Sequence, residues 1–321
     1  MATDEPAQHA SQDFTEEGAI EVAWGQVDQY EIVRKLGRGR SSEVFEGIRL
    51  VDYQRCAIKS LKPAEKTKVV NEIKMLQTLR GGPNIIQLWD VVVDPRSNTT
   101  SLIFELVDNV DFRSLYPLLD DNEIRYYLRE LLRALEFCHS KGVMHRGVTP
   151  HNVVIDHSKR KLRLIDFGSS STCMPGTTYD VRLGRVFGAP ELLLDFEEYD
   201  YSLDMWCLGE MLASMIFRIQ PFFHGFSRLN CLEQIATTLG TKGLLNYIER
   251  YDMDAPDVDD IPVHEGRSWT SYVTHENGGL ANDVAIDLVD RLLRWDHQDR
   301  LTATKALEHP YFASLEEGTR L

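Results

Sequence analysis

The spacing of apolar residues changes once along this chain, and that change restricts the folds open to it. From Tyr30 to Phe104, five short runs rich in β-branched and aromatic residues read as strands: Tyr30–Leu36, Val44–Leu50, Cys56–Leu61, Ile86–Val93 and Ser101–Phe104. One helical stretch interrupts them, Lys66–Leu79, with Val69, Ile73, Leu76 and Leu79 on one face. Beyond Phe104 the period becomes helical. Glu123–Ser140 carries Ile124, Tyr127, Leu128, Leu131, Leu132, Leu135 and Cys138 near a helical repeat, and Leu203–Phe217 and Asp283–Arg294 follow the same rule. A β-rich first third and a helical remainder predict an α+β protein of two lobes, with the first over 28–104, a hinge at 105–109 and the second over 110–313.

Composition agrees with that size of fold. The 321 residues are 43% hydrophobic and 26% charged, enough to bury cores in both lobes. No apolar run reaches the ~18–20 residues that span a bilayer, and the acidic, polar start is no secretory signal. Five scattered cysteines (Cys56, Cys138, Cys173, Cys207, Cys231) form no CxxC pair. Reduced thiols in a cytoplasmic or nuclear protein are expected, without membrane association. The net charge of −15 is uneven: residues 1–30 hold seven acids and no Lys or Arg, and residues 251–266 hold six acids. Residues 1–27 therefore read as a flexible acidic segment and 314–321 as a tail. The nearly balanced remainder offers no concentrated cations, so direct nucleic-acid binding is not expected.

Eight short signals follow one another in a fixed order. Gly37-Arg38-Gly39-Arg40-Ser41-Ser42 lies between two predicted strands, where glycines let backbone amides approach phosphates. Lys59 follows in Ala57-Ile58-Lys59, and Glu72 lies on the helix after it. An ammonium there holds two phosphates, and a carboxylate there orients the ammonium. Next come His145-Arg146-Gly147-Val148-Thr149-Pro150-His151-Asn152 and, fourteen residues later, Asp166-Phe167-Gly168. Asn152 and Asp166 offer the oxygen ligands that magnesium prefers. Ala189-Pro190-Glu191, Asp204 with Trp206 and Gly209, and Arg300 complete the series.

Taken together, residues 28–313 resemble a eukaryotic protein kinase. Stretches such as GRGRSSEVFEGI, RGGPNII, HNVVIDHSKRKLRLIDFG, YDYSLDMW and MIFRIQPFFHG are similar to the catalytic subunit of casein kinase II. The resemblance implies a bilobal kinase fold that takes ATP, or GTP, with Mg2+. It implies that Lys59 and Glu72 form the phosphate-positioning pair and that Asn152 and Asp166 bind the metal. Gly37, Gly39, Ser42, Val44, Ala57, Val154 and Ile165 would line the nucleotide slot. Phe104 would guard the pocket behind it, and Glu105 and Val107 would present hinge backbone groups to the base. Arg182 and Arg185 would face acidic substrates, a casein kinase II β-type regulatory subunit is an implied partner, and Glu191 would pair with Arg300.

Departures from the family pattern fall on the chemistry. Gly147 stands where the family has the aspartate that orients the acceptor hydroxyl and takes its proton. Thr149 stands where a lysine holds the γ-phosphate, and Phe167 where this subfamily has tryptophan. The run Lys62–Asn71 has fewer cations than the family's and an added Glu65. The expectation is a nucleotide-binding, catalytically impaired kinase that acts by binding partners, the regulatory β subunit or the substrates of an active relative. Two alternatives stand beside it: an active serine/threonine kinase for acidic sites, and another nucleotide transfer such as AMP transfer.

Overall fold

The computed structural model describes residues 24–39, 42–62, 66–181 and 188–317. Two compact units make up the chain. The first holds the residues up to Asn109 together with Val154–Ser170, and the second holds Val110–Val153 and the residues from Ser171 on.

In the first unit, six strands form one sheet: β1 (Trp24–Gly25), β2 (Tyr30–Arg38), β3 (Ser42–Arg49), β4 (Gln54–Leu61), β5 (Leu88–Asp94) and β6 (Thr99–Glu105). Their order is β1-β5-β6-β4-β3-β2, antiparallel throughout except that β1 runs parallel to β5. The expected strands are thus present. Trp24–Gly25, which fell within the predicted flexible segment, instead pairs with Val91 and Val92.

Register decides which side chains meet. Val44 lies opposite Lys59, and Ala57 lies opposite both Glu46 and Phe104. Because alternate residues share a face, Val44, Ala57, Lys59 and Phe104 all project from one side of the sheet. On the other side Cys56, Ile58, Val92 and Ile103 form a buried cluster against Tyr30, Phe45 and Trp89. Helix α1 (Lys66–Thr78) buries Val69, Ile73 and Leu76, with Leu79 just beyond it, as the spacing predicted. Strands β8 (Val153–Asp156) and β9 (Lys161–Leu164) pair with each other. Leu164 is fastened to the segment before β5 by its amide on the Asn84 carbonyl (2.8 Å) and its carbonyl on the Ile86 amide (3.1 Å).

The second unit is mainly helical. Its longer helices are α2 (Asp121–Ser140), α3 (Ser202–Phe217), α4 (Arg228–Leu239), α5 (Thr241–Arg250) and α6 (Asp283–Leu292). A capping box starts α2: Asp120 accepts from the Glu123 amide at 2.8 Å, and Glu123 accepts from the Asp120 amide at 3.0 Å. All seven apolar positions predicted for this helix are buried. Helix α3 is buried from Leu203 to Phe217, as suits a helix apolar on every side. Short strands β7 (Val143–Met144) and β10 (Ser171–Thr172) pair antiparallel near the start of the His145-Arg146-Gly147 loop.

Candidate active site

Strand β4 aims Lys59 at two carboxylates. Its ammonium lies 2.7 and 2.8 Å from the two oxygens of Glu72 on α1 and 2.9 Å from Oδ1 of Asp166. The Lys59 and Glu72 side chains are 14% and 4% exposed, whereas that of Asp166 is 51% exposed. Burial pulls the Lys59 pKa down, but Glu72 and Asp166 outweigh it and hold the ammonium above its ordinary value. Burial likewise lifts the Glu72 pKa, and Lys59 opposes the rise. A charged lysine with one buried partner and one half-exposed partner can hold phosphate oxygens without losing its own position.

The segment after β9 makes Asp166 available. Asp166 has φ 65°, a left-handed conformation uncommon for a residue with a side chain and frequent at functional sites. Phe167 behind it is fully buried. Asn71, the neighbour of Glu72, donates to the Ser170 carbonyl at 2.8 Å and ties α1 to this turn. At Gly168 a Cβ would make ordinary contacts with Glu72 Oε2 at 3.5 Å and Asp166 Oδ1 at 3.6 Å, so this turn lies against both acids.

The residues expected to bind the base lie as follows in the first unit. Val44, Ala57 and Phe104 share the sheet face of Lys59, and Val154 and Ile165 are partly buried at β8 and after β9. Gly37 pairs with Val44, and the Gly39 amide donates to the Ser42 carbonyl at 2.8 Å, closing the turn between β2 and β3. Glu105 turns its buried carboxylate towards Lys161 (2.6 Å) and Arg163 (2.7 Å). The next residues are fixed by Asn109, whose amide donates to the Val107 carbonyl and whose side-chain oxygen accepts from the Ile155 amide. The side-chain pairings of Glu105 and Asn109 were not legible beforehand, since their partners stand 46–58 residues away.

In the second unit, Asp204 organises the His145-Arg146-Gly147 loop. Its buried carboxylate accepts from the amides of His145 and Arg146, each at 2.8 Å, and lies 3.0 Å from His139 Nε2. Burial pushes its pKa up, but these donors and the neighbouring histidines bring it below the ordinary value. Arg146 donates to the Asp180 carbonyl and lies over the Tyr199 ring. Asn152 donates its side-chain amide to the Gly147 carbonyl at 2.8 Å. Thr149 precedes the short turn Pro150–Asn152 and makes no side-chain cap there.

Two side chains near Gly147 in the sequence are engaged elsewhere. His151 packs edge-on against Phe112 and lies 3.4 Å from Arg113. Asp156 is engaged by Ser158 and Lys159. Elsewhere in the second unit, Glu191 and Arg300 form the expected pair through two bonds of 2.8 and 2.7 Å, both side chains fully buried. Arg182 and Arg185 lie outside the described residues, as do the side chains of Lys66 and Lys68.

Protein kinase domains bind Mg·ATP and move its terminal phosphoryl group by positioning and electrostatics, which is the work a lysine, its carboxylate partner and two oxygen ligands are suited to. The protein kinase domain model matches residues 30–312. With its β-sheet lobe, its helical lobe and that match over most of its length, the chain belongs to the protein kinase family.

Proposed function

We propose that this chain is a divergent member of the casein kinase II α group that binds Mg·ATP and is impaired in phosphoryl transfer. One contrast carries the reading. Lys59 keeps both its carboxylates, while Gly147 leaves the base position without a side chain. General-base participation contributes ~10²–10⁴-fold, and kinases turn over at ~1–100 s⁻¹. Its loss brings the rate to roughly 10⁻⁴–1 s⁻¹, a barrier higher by about 3–5 kcal/mol.

The donor set suits magnesium. Asp166 offers a half-exposed carboxylate, and the Asn152 amide nitrogen is committed to Gly147, which leaves the amide oxygen for a cation. With ATP, magnesium would neutralise charge on the phosphates. A protein of this kind works by occupancy, holding the acidic substrates or the β-type regulatory subunit of an active relative in the cytoplasm or nucleus.

Labelled nucleotide tests the reading. Wild type should show an Mg·ATP-dependent rise in melting temperature, with little label moved from γ-labelled ATP to an acidic serine peptide and none from α-labelled ATP. Vigorous γ-transfer would establish the active serine/threonine kinase instead, and α-transfer would establish nucleotidyl transfer.

A further inference from the structure

Six charges of alternating sign run along one edge of the first unit. Arg34 on β2 pairs with Glu46 on β3 at 2.8 Å, and Glu46 also accepts from Arg55 on β4 at 2.8 Å. Arg55 grips Asp108 with both terminal nitrogens, at 3.0 and 3.4 Å. Lys159, in the turn between β8 and β9, reaches Asp108 at 3.4 Å and Asp156 at 2.8 Å. The row thus ties three strands of the sheet to the residue after Val107, and that residue to the β8–β9 hairpin.

Position makes the row more than surface decoration. Arg55 is two residues before Ala57, and Glu46 two residues after Val44, so both project from the face that carries those slot residues. Asp108 follows Val107 directly, and the hairpin at the far end carries Val154. Two of its acids are well seated, with the Glu46 and Asp156 side chains 9% and 4% exposed. Lys159 and Ser158 hold the Asp156 pKa down at about 2, and Arg55 depresses those of Glu46 and Asp108. Arg34, Arg55, Asp108 and Lys159 are 46–64% exposed, so salt reaches the middle of the row.

The geometry points to Arg55 and Asp108 as positioning residues: the ionic row fixes the hinge backbone at Glu105–Asn109 and thereby sets the adenine-binding edge. This rests on the nucleotide-binding reading, and it adds a sensitivity to ionic strength that acts on the base rather than on the phosphates.

Adenosine is the probe, because it is uncharged and its affinity does not report phosphate electrostatics. Arg55→Met should weaken adenosine about twofold to fivefold, the span expected for loss of a well-aligned pair on a half-exposed surface. Amide hydrogen exchange across 105–109 in the nucleotide-free protein should speed up by a similar factor. Salt near 1 M should do the same to wild type and add little to Arg55→Met. Arg55→Lys, which keeps a cation beside both Glu46 and Asp108, should hold both readouts closer to wild type than Arg55→Met does.

Unchanged hinge exchange in Arg55→Met overturns the proposal whatever the nucleotide result. Faster exchange with unchanged adenosine affinity overturns the link to the base. If neither protein binds adenosine or Mg·ATP, the nucleotide-binding reading fails, while faster hinge exchange in Arg55→Met still supports the ionic hold on the hinge.

Discussion

Lys59 places its ammonium between both oxygens of Glu72, at 2.7 and 2.8 Å, so a strand and the only helix of the sheet-bearing unit's described residues longer than one turn meet in a forked ion pair. The pair is nearly buried, and breaking it from one side strands a charge. Its geometry suits a group that holds phosphate oxygens.

Lys59→Met should therefore abolish the Mg·ATP-dependent rise in melting temperature. It should also lower the melting temperature of the nucleotide-free protein, because the 4%-exposed Glu72 loses its partner. Differential scanning fluorimetry with and without millimolar Mg·ATP reads both effects. A nucleotide shift equal to that of wild type would remove Lys59 from the binding account.

Arg300→Met should destabilise the protein by about 3–5 kcal/mol, the cost of leaving a buried carboxylate such as Glu191 alone. Adding Glu191→Leu should recover part of that loss, since the double replacement buries no lone charge. Urea unfolding of the single and double variants measures it, and a double variant no better than Arg300→Met would contradict the explanation.

Stability should fall with rising pH through Glu210 on α3. This side chain is 1% exposed, and its oxygens make no hydrogen bond of normal geometry among the described residues. Burial raises its pKa well above the ordinary 4.5, and the Phe223 backbone only partly opposes the rise. The folded state thus holds a proton that the unfolded state releases. Stability from this group is full below 4.5 and is lost as pH climbs towards the folded pKa. Glu210→Gln cannot ionise, so its advantage over wild type should widen between about pH 5 and 8, by at most ~1.4 kcal/mol per unit. Parallel stability–pH curves for the two proteins would refute this.

Residual or restored transfer should favour acidic residues after the target serine less steeply than in intact casein kinase II. The run Lys62–Asn71 carries fewer cations than its counterpart in casein kinase II, and each exposed pairing is worth only ~0.2–1 kcal/mol. Discrimination should drop about tenfold across a peptide series with one to five acids after the serine. A rate that climbs with each acid as steeply as in the intact enzyme would show that the lost cations do not matter.

Local pattern carried much of the fold. The strand runs and the repeat from Ile124 to Cys138 are visible because each needs only its own alternation or helical spacing. Lys59 and Glu72 were likewise legible from order and spacing. What escaped depends on topology: three donors converging on Asp204, Glu105 turning to Lys161 and Arg163, and the six-charge row through Arg55 and Asp108. None has a local signature, since its members lie on different strands and loops. Trp24–Gly25 was missed for the same reason, as two residues show no period and their strand exists only through β5.

Installing the missing side chains tests the central claim most directly. At Gly147 a new Cβ would meet Asn152 Nδ2 at 3.4 Å and the His145 ring at 3.6 Å, contacts the loop can accept. The measurement is single-turnover γ-phosphoryl transfer to an acidic serine peptide at saturating Mg·ATP, comparing wild type with Gly147→Asp/Thr149→Lys. The double variant should gain at least ~10²-fold, the lower end of what a general base supplies. A variant that binds Mg·ATP as wild type does, yet transfers no faster, would contradict the account and place the defect outside the Gly147–Thr149 loop.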